Sequence, residues 1–330
     1  MNKTPQELVI RFIETRDAIR AVFRWESEYI YPACAHIFLA ADRAVDRERL
    51  ERCKAMVKST TGPFSSFRGN IKLPLICMLA AGDEPEARWE RTERTYGLLK
   101  EAFFSSEYLA LAALILSDEV PEADISALAA RGKGLYQRMK KEHPFLTGQE
   151  DSVFALLLAE SQRTDDELID DMEACYGLLD ERFPKGDALQ SVSHVLALSQ
   201  EAPEEKVHRL IALFDGVQRA GGKYGKDRQL PILAALSLAK GSVDELVQGL
   251  MALDGLLSQQ KGYTGVFGMD RRTRMMHAAM LLSLPDRQPE LVNSAAQQTV
   301  LAMIAAQQAI LCAVIASSVA ANAAAANSAH

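Results

Sequence analysis

The chain has 330 residues, 48% of them hydrophobic and 25% charged, with a net charge of −7 and a pI near 5.5. That length suits two globular domains or one repeat array, and an acidic chain with no dense basic patch argues against a nucleic-acid partner, because a polyanion is held by clustered Lys and Arg. Five scattered cysteines without a CxxC pair point to free thiols in a reducing compartment, and the charged N-terminus lacks the apolar run of a secretory signal, so a cytoplasmic location is expected.

Taken in order, Pro5 to Phe23 predicts an amphipathic helix, with Leu8, Phe12 and Ile13 on one side and Arg11, Glu14 and Arg16 on the other. Pro5 stands where a first helical turn accepts it. Glu28 to Ala41 reads as a short apolar helix and Asp46 to Lys58 as a charged one. The two kinds then alternate. Tyr108–Leu116, Val153–Ala159 and Leu230–Ala239 are apolar nearly all round, so they must be covered on every side and belong to an inner layer. The longer helices bury one stripe each and belong to an outer layer. From Thr164 to Arg182 the stripe is Leu168, Met172, Cys175 and Leu179; after Pro203 it is Val207, Leu210, Ile211, Phe214 and Val217; after Ser242 it is Leu246, Leu250, Leu253 and Leu257. Pro121, Thr164, Pro203 and Ser242 mark helix starts, with acids following in the first turn. Asn70, Ser105, Asp187, Asp227 and Asp270 read as caps of the short helices.

The alternation is periodic. Ala40, Ala80, Leu116, Ala159, Leu198, Leu238 and Leu282 close successive apolar segments, and a glycine recurs at nearly the same offset after most of them, at Gly97, Gly134, Gly177, Gly216 and Gly255. An interval of roughly 40 residues held in this way is the signature of a helical-hairpin repeat. The expected fold is therefore all-α: hairpin repeats of about 40 residues in a two-layer curved α-solenoid, with closure toward an α/α toroid as the alternative. Residues 1–290 form the repeat domain in this reading. Residues 291–330 form a separate tail that is rich in alanine and carries no Asp, Glu, Lys or Arg. The tail is expected to pack as a helix on the inner layer and to fray at its very end. A membrane anchor is the other reading, since Val300 to Ala321 is long enough to span, although Gln307 and Gln308 lie mid-span.

FSSFRGN (Phe64 to Asn70), HPFLTG (His143 to Gly148) and the charge-free tail resemble a bacterial family catalogued as domain of unknown function 4003. The resemblance covers nearly the whole length and implies a helical, bacterial, cytosolic protein, with no established activity to carry onto residues here. Residues 256–284, LLSQQKGYTGVFGMDRRTRMMHAAMLLSL, resemble one repeat of the α/α toroids of prenyltransferases and terpene cyclases. The zinc site of the prenyltransferases does not carry over, because no cysteine lies between Cys175 and Cys312 to join Asp270 and His277, and the acidic motif of the cyclases is missing.

No GxSxG or HExxH occurs, GGKYGKD lacks the spacing of a phosphate loop, and no catalytic residue is assigned. His36, His194 and His277 hold the same place on three inner helices; in an open solenoid repeats two to four units apart stand tens of ångströms apart and only a closed toroid would bring them near, so neither a metal nor a cofactor is expected. The turns that enter the inner helices lie on one rim and supply Lys226, Arg272 and several acids. Because the last two repeats have the longest and most glycine-rich turns, Arg68, Asp227, Arg228, Asp270, Arg271 and His277 are the candidate binding residues. The expected function is a cytoplasmic scaffold that holds a protein or peptide on its turn rim or concave face. The alternatives are a toroid enzyme or small-molecule binder with an apolar central cavity, and a tail-anchored membrane-associated protein.

Overall fold

A computed structural model describes residues 4–265 and 268–284, so both readings of residues 291–330 lie outside the described residues. The described residues are all-helical, with fourteen α-helices and no strand among them. They divide into two compact units, residues 15–165 and residues 4–14 with 166–284. Helix α1 (Pro5–Val22) supplies its first part to one unit and its second part to the other.

In the unit of residues 15–165, short covered helices alternate with longer half-exposed ones. The covered helices are α2 (Ile30–Ala40), α4 (Lys72–Ala81), α6 (Glu107–Glu119) and α8 (Asp151–Ala159); between them run α3 (Arg47–Thr60), α5 (Pro85–Leu99) and α7 (Ile125–Glu142). Helix α2 packs on α4 and α6 packs on α8, while α3, α5 and α7 each pack on the covered helix that follows and on one another in turn. Composition explains the division. In α4 every residue from Leu73 to Ala81 is buried, so no face is left for water. In α5 only Pro85, Trp89, Thr92, Thr95 and Leu99 are buried, a single stripe at helical spacing. Trp89 Nε1 donates to Thr60 Oγ1 at 2.9 Å, which gives the one polar atom of that ring a partner.

The other unit contains α9 (Asp165–Asp180), α10 (Asp187–Ala197), α11 (Pro203–Arg219), α12 (Leu230–Ser237), α13 (Val243–Leu257) and α14 (Arg271–Leu282). Here α10, α12 and α14 pack in a row, α11 lies against α12 and α13, and α13 lies against α14. A Cβ on Gly216 would stand 2.8 Å from Val247 Cγ2, so that glycine permits the close approach of α11 and α13. Gly97, Gly134, Gly177 and Gly255 face open space, so their recurrence in the sequence does not mark a packing requirement.

The helix starts correct part of the capping assignment. Ser242 and Glu245 form a reciprocal capping box, and Asp270 accepts from the backbones of Arg272 and Thr273 at 2.8 and 3.2 Å. Ser106 rather than Ser105 caps α6, and Gly186 rather than Asp187 precedes α10. Asp227 lies ahead of α12, because a helix starting at Arg228 would need the N–H that Pro231 lacks. Asn70 reaches sideways to the Glu107 carboxylate at 3.1 Å instead of capping α4.

Two side-chain arrangements tie neighbouring helices together. Arg131 Nη1 donates to Ala159 O and Ser161 O at 2.9 and 2.6 Å, and Nη2 to Arg163 O. Arg209 donates to Ser237 O, and then to Ala239 O and Gly241 O at 2.8 and 2.7 Å. Both arginines therefore reach three carbonyls at the same offsets along the chain, one at the end of the next covered helix, where carbonyls lack an intrahelical partner, and two in the turn that follows it. Arg49 does the same for Ala80 and Gly82. The second arrangement is a buried ion pair. Lys206 Nζ lies 2.6 Å from Asp171 Oδ2 and 3.2 Å from Ser199 O, and both side chains are almost wholly removed from water.

Candidate functional site

A pocket of about 850 Å³ opens among the turns of the unit that contains α9 to α14. Each wall follows from local sequence. After α9 the turn carries Arg182, Pro184 and Lys185 to Gly186, whose φ of 148° is readily held only by glycine, and α10 begins at once. Helix α11 contributes Phe214 and Gln218, the following turn contributes Lys223, Lys226 and Asp227, and the first turn of α14 contributes Arg272. Tyr224 anchors that middle turn. Its buried hydroxyl donates to Gln229 O at 3.1 Å, and burial pushes the phenol far above its ordinary pKa.

The electrostatics of the lining are one-sided. Five cations, Arg182, Lys185, Lys223, Lys226 and Arg272, face two carboxylates, Asp187 and Asp227, in a chain whose net charge is −7. Arg182 is held by Asp215 at 2.7 Å and lies over the Phe214 ring at 5.5 Å. Lys185 pairs with Asp180 at 2.6 Å, and that hydrogen bond raises its pKa. Among the described residues Lys223, Lys226 and Arg272 are in no ion pair, and Lys226 sits over Phe214 at 5.7 Å. A concentration of positive charge beside the N–H groups of a helix start attracts an anion.

The six residues singled out from sequence do not form one cluster. Asp227 lines the pocket, and Arg228 follows it, partly exposed. Asp270 caps α14; burial raises its pKa, but hydrogen bonds from the Thr273 hydroxyl and from the Thr273 and Arg272 backbones outweigh that and hold it below the usual value. Arg271 donates to Gly221 O at 2.7 Å, tying α14 to the turn that carries Lys223, and its Nε lies 3.9 Å from Asp254. His277 does not line the pocket. It is buried within α14, with Nδ1 2.7 Å from the Tyr263 hydroxyl and its ring 6.3 Å from that of Phe12. Arg68 belongs to the other unit, where it donates to Thr61 Oγ1 and Thr61 O at 2.9 and 2.6 Å and to Lys58 O, closing the end of α3. Arg182, Lys185 and Lys223 are pocket residues that sequence reasoning misses. The available signal is position: Lys185 and Lys226 each stand a few residues before a short helix, α10 and α12.

The sequence profile of the family described as "Protein of unknown function (DUF4003)" matches residues 17–309. The chain belongs to that family. The DUF4003 match runs through both compact units, and so through every residue of the pocket. The chain is similar to "Uncharacterized protein YeaA" of Bacillus subtilis (strain 168), with 26% identity over 262 residues, covering 76% of this chain and 78% of the relative. No solved structure matches it. Neither description names an activity. Among the described residues no helix is long and apolar enough to cross a membrane.

Proposed function

We propose that this chain is a helical-repeat scaffold of the cytoplasm that captures an acidic segment of a protein or peptide in the pocket among its turns. The observation that carries the reading is the lining of five cations against two carboxylates on an acidic protein. The cations come from three successive turns, which suits several carboxylates in series better than one small anion, and 850 Å³ accommodates a few side chains. Three further observations support the scaffold: the recurring period of the sequence, the alternation of covered and half-exposed helices, and the identical reach of Arg131 and Arg209. The four described cysteines are free thiols, which supports a reducing compartment.

The test is fluorescence anisotropy of a labelled Glu/Asp-rich peptide with the full-length protein, with inorganic phosphate as competitor. Saturable binding that weakens as salt rises is expected, and Lys223→Glu with Lys226→Glu and Arg272→Glu should lower affinity at least about 30-fold. Equal binding by the triple variant would overturn the proposal, and so would a protein that prefers phosphate to the peptide. A second reading, the α/α toroid, draws on one contact: the start of α1 packs in the same unit as α14, with Phe12 beside His277. A first helix meeting the last described hairpin is what a closed array requires.

A further inference from the structure

The unit of residues 15–165 carries a feature that the pocket does not use. Trp25, Phe64, Phe104 and Phe145 are 98%, 100%, 89% and 97% exposed. They recur at the repeat interval, each in the turn that enters α2, α4, α6 or α8. Exposed apolar residues scattered singly are ordinary, but four at one register position of successive hairpins are not scattered. The only other exposed large hydrophobic residues among those described, Ile10 and Tyr29, are far less open, at 45% and 36%. The turns are neighbours. Asn70 N donates to Glu107 Oε2 at 2.7 Å, joining the Phe64 turn to the Phe104 turn, while α2 packs on α4 and α6 on α8. Helices pack about 8–10 Å apart, so the four rings form a row roughly 30 Å long.

We infer that this row is a lipid-contact edge, with the four rings entering the interfacial region of a bilayer. Near-complete exposure means that each ring stands clear of its own turn, with no walls to hold a peptide beside it. A fluid interface accepts separate aromatic side chains at headgroup depth without requiring a groove. Charge agrees. A cation sits at or just beyond the end of each preceding helix, at Arg24, Lys58, Lys100 and Lys141, and Lys133 Nζ lies 5.9 Å from the centre of the Phe104 ring. Of the acids in these turns, Glu26 and Glu28 are paired with Lys72 and Arg20 at 2.8 and 2.7 Å, and Glu107 is held by Asn70. Glu101 and Glu142 remain exposed and Glu150 partly so, which leaves the rings to supply most of the attraction while anionic headgroups add to it.

The two tryptophans make the test direct, because Trp25 is exposed and Trp89 is buried at 1%. The full-length protein is sedimented with phosphatidylcholine vesicles containing phosphatidylglycerol, and tryptophan quenching by brominated lipid is recorded. Co-sedimentation is expected, with quenching that Trp25→Phe removes. Each of Phe64→Ser, Phe104→Ser and Phe145→Ser should lower the partition coefficient about tenfold. Far-UV circular dichroism should be unchanged, since these side chains support no packing. A triple Ser variant that sediments like the parent would place the contact elsewhere, residues 291–330 included, and overturn the inference. A parent that ignores vesicles but forms dimers lost in the triple variant would overturn it in favour of a protein partner.

Discussion

Lys206 and Asp171 show what a single charged residue on an apolar stripe does. Lys206 lies in phase with Leu210, Leu213 and Val217, and Asp171 with Leu168, Cys175 and Leu179, so both charges are placed on buried faces by spacing alone. That signal is legible in the sequence, but which charge meets which is not, because the partners lie on different helices far apart along the chain. Asp171→Ala leaves a buried ammonium without its carboxylate and is expected to cost about 3–5 kcal/mol in urea unfolding. Lys206→Met combined with Asp171→Leu should recover most of that loss, since the charges leave together. Glu160 at the end of α8 carries a different liability. Burial, with the Glu119 carboxylate adding to it, raises its pKa from 4.5 to about 7. The folded protein thus keeps a proton that the unfolded chain releases over that window, and stability falls as pH rises from about 4.5 to 7. Glu160→Gln should leave the melting temperature unchanged at about pH 4 and raise stability by about 1–3 kcal/mol at about pH 8.

At the scale of elements, helices are easier to read than their ends. The short covered helices announce themselves because nearly every residue is apolar, and the longer ones because their stripes follow the helical period. Capping residues are less legible: Asp187, Asp227 and Asn70 are all acceptable caps by type, yet Gly186, Pro231 and a cross-turn carboxylate decide the outcome. The arginine contacts are not legible at all. Arg209 looks like any charge on a solvated face until the end of α12 and the turn after it deliver three carbonyls to it. Removing it should expose that cost. Arg209→Ala is expected to lower stability by about 1.5–3 kcal/mol in thermal unfolding, and Arg209→Lys should restore only part, because an ammonium cannot span three acceptors as a planar fork does.

At the scale of the whole molecule, the all-helical architecture of the described residues is legible from the sequence, because apolar runs and helical stripes recur along most of the chain and local errors average out. The pocket is not. Its cations come from segments far apart along the chain, and nothing in a single turn distinguishes Lys185 or Lys223 from an ordinary surface lysine. The division into two units is equally hidden, since no change of composition marks residue 165. The start of α1 has a testable role here. Phe12 is fully buried beside His277, and Phe12→Ala should cost about 3–5 kcal/mol and raise amide exchange in Arg271–Leu282, read by hydrogen exchange mass spectrometry.

That packing also sets an order on synthesis. Phe12 leaves the ribosome early, whereas its neighbour His277 is added only after most of the chain has been made. At about 5–20 residues per second the ring waits roughly 13–50 seconds for its neighbour. The described residues of the other unit, 15–165, are contiguous in sequence, so the partners they find among themselves are all made by the time Asp165 is added. The start of α1 therefore spends most of translation without the neighbour that α14 gives it, and its apolar ring is a candidate for chaperone contact over that interval.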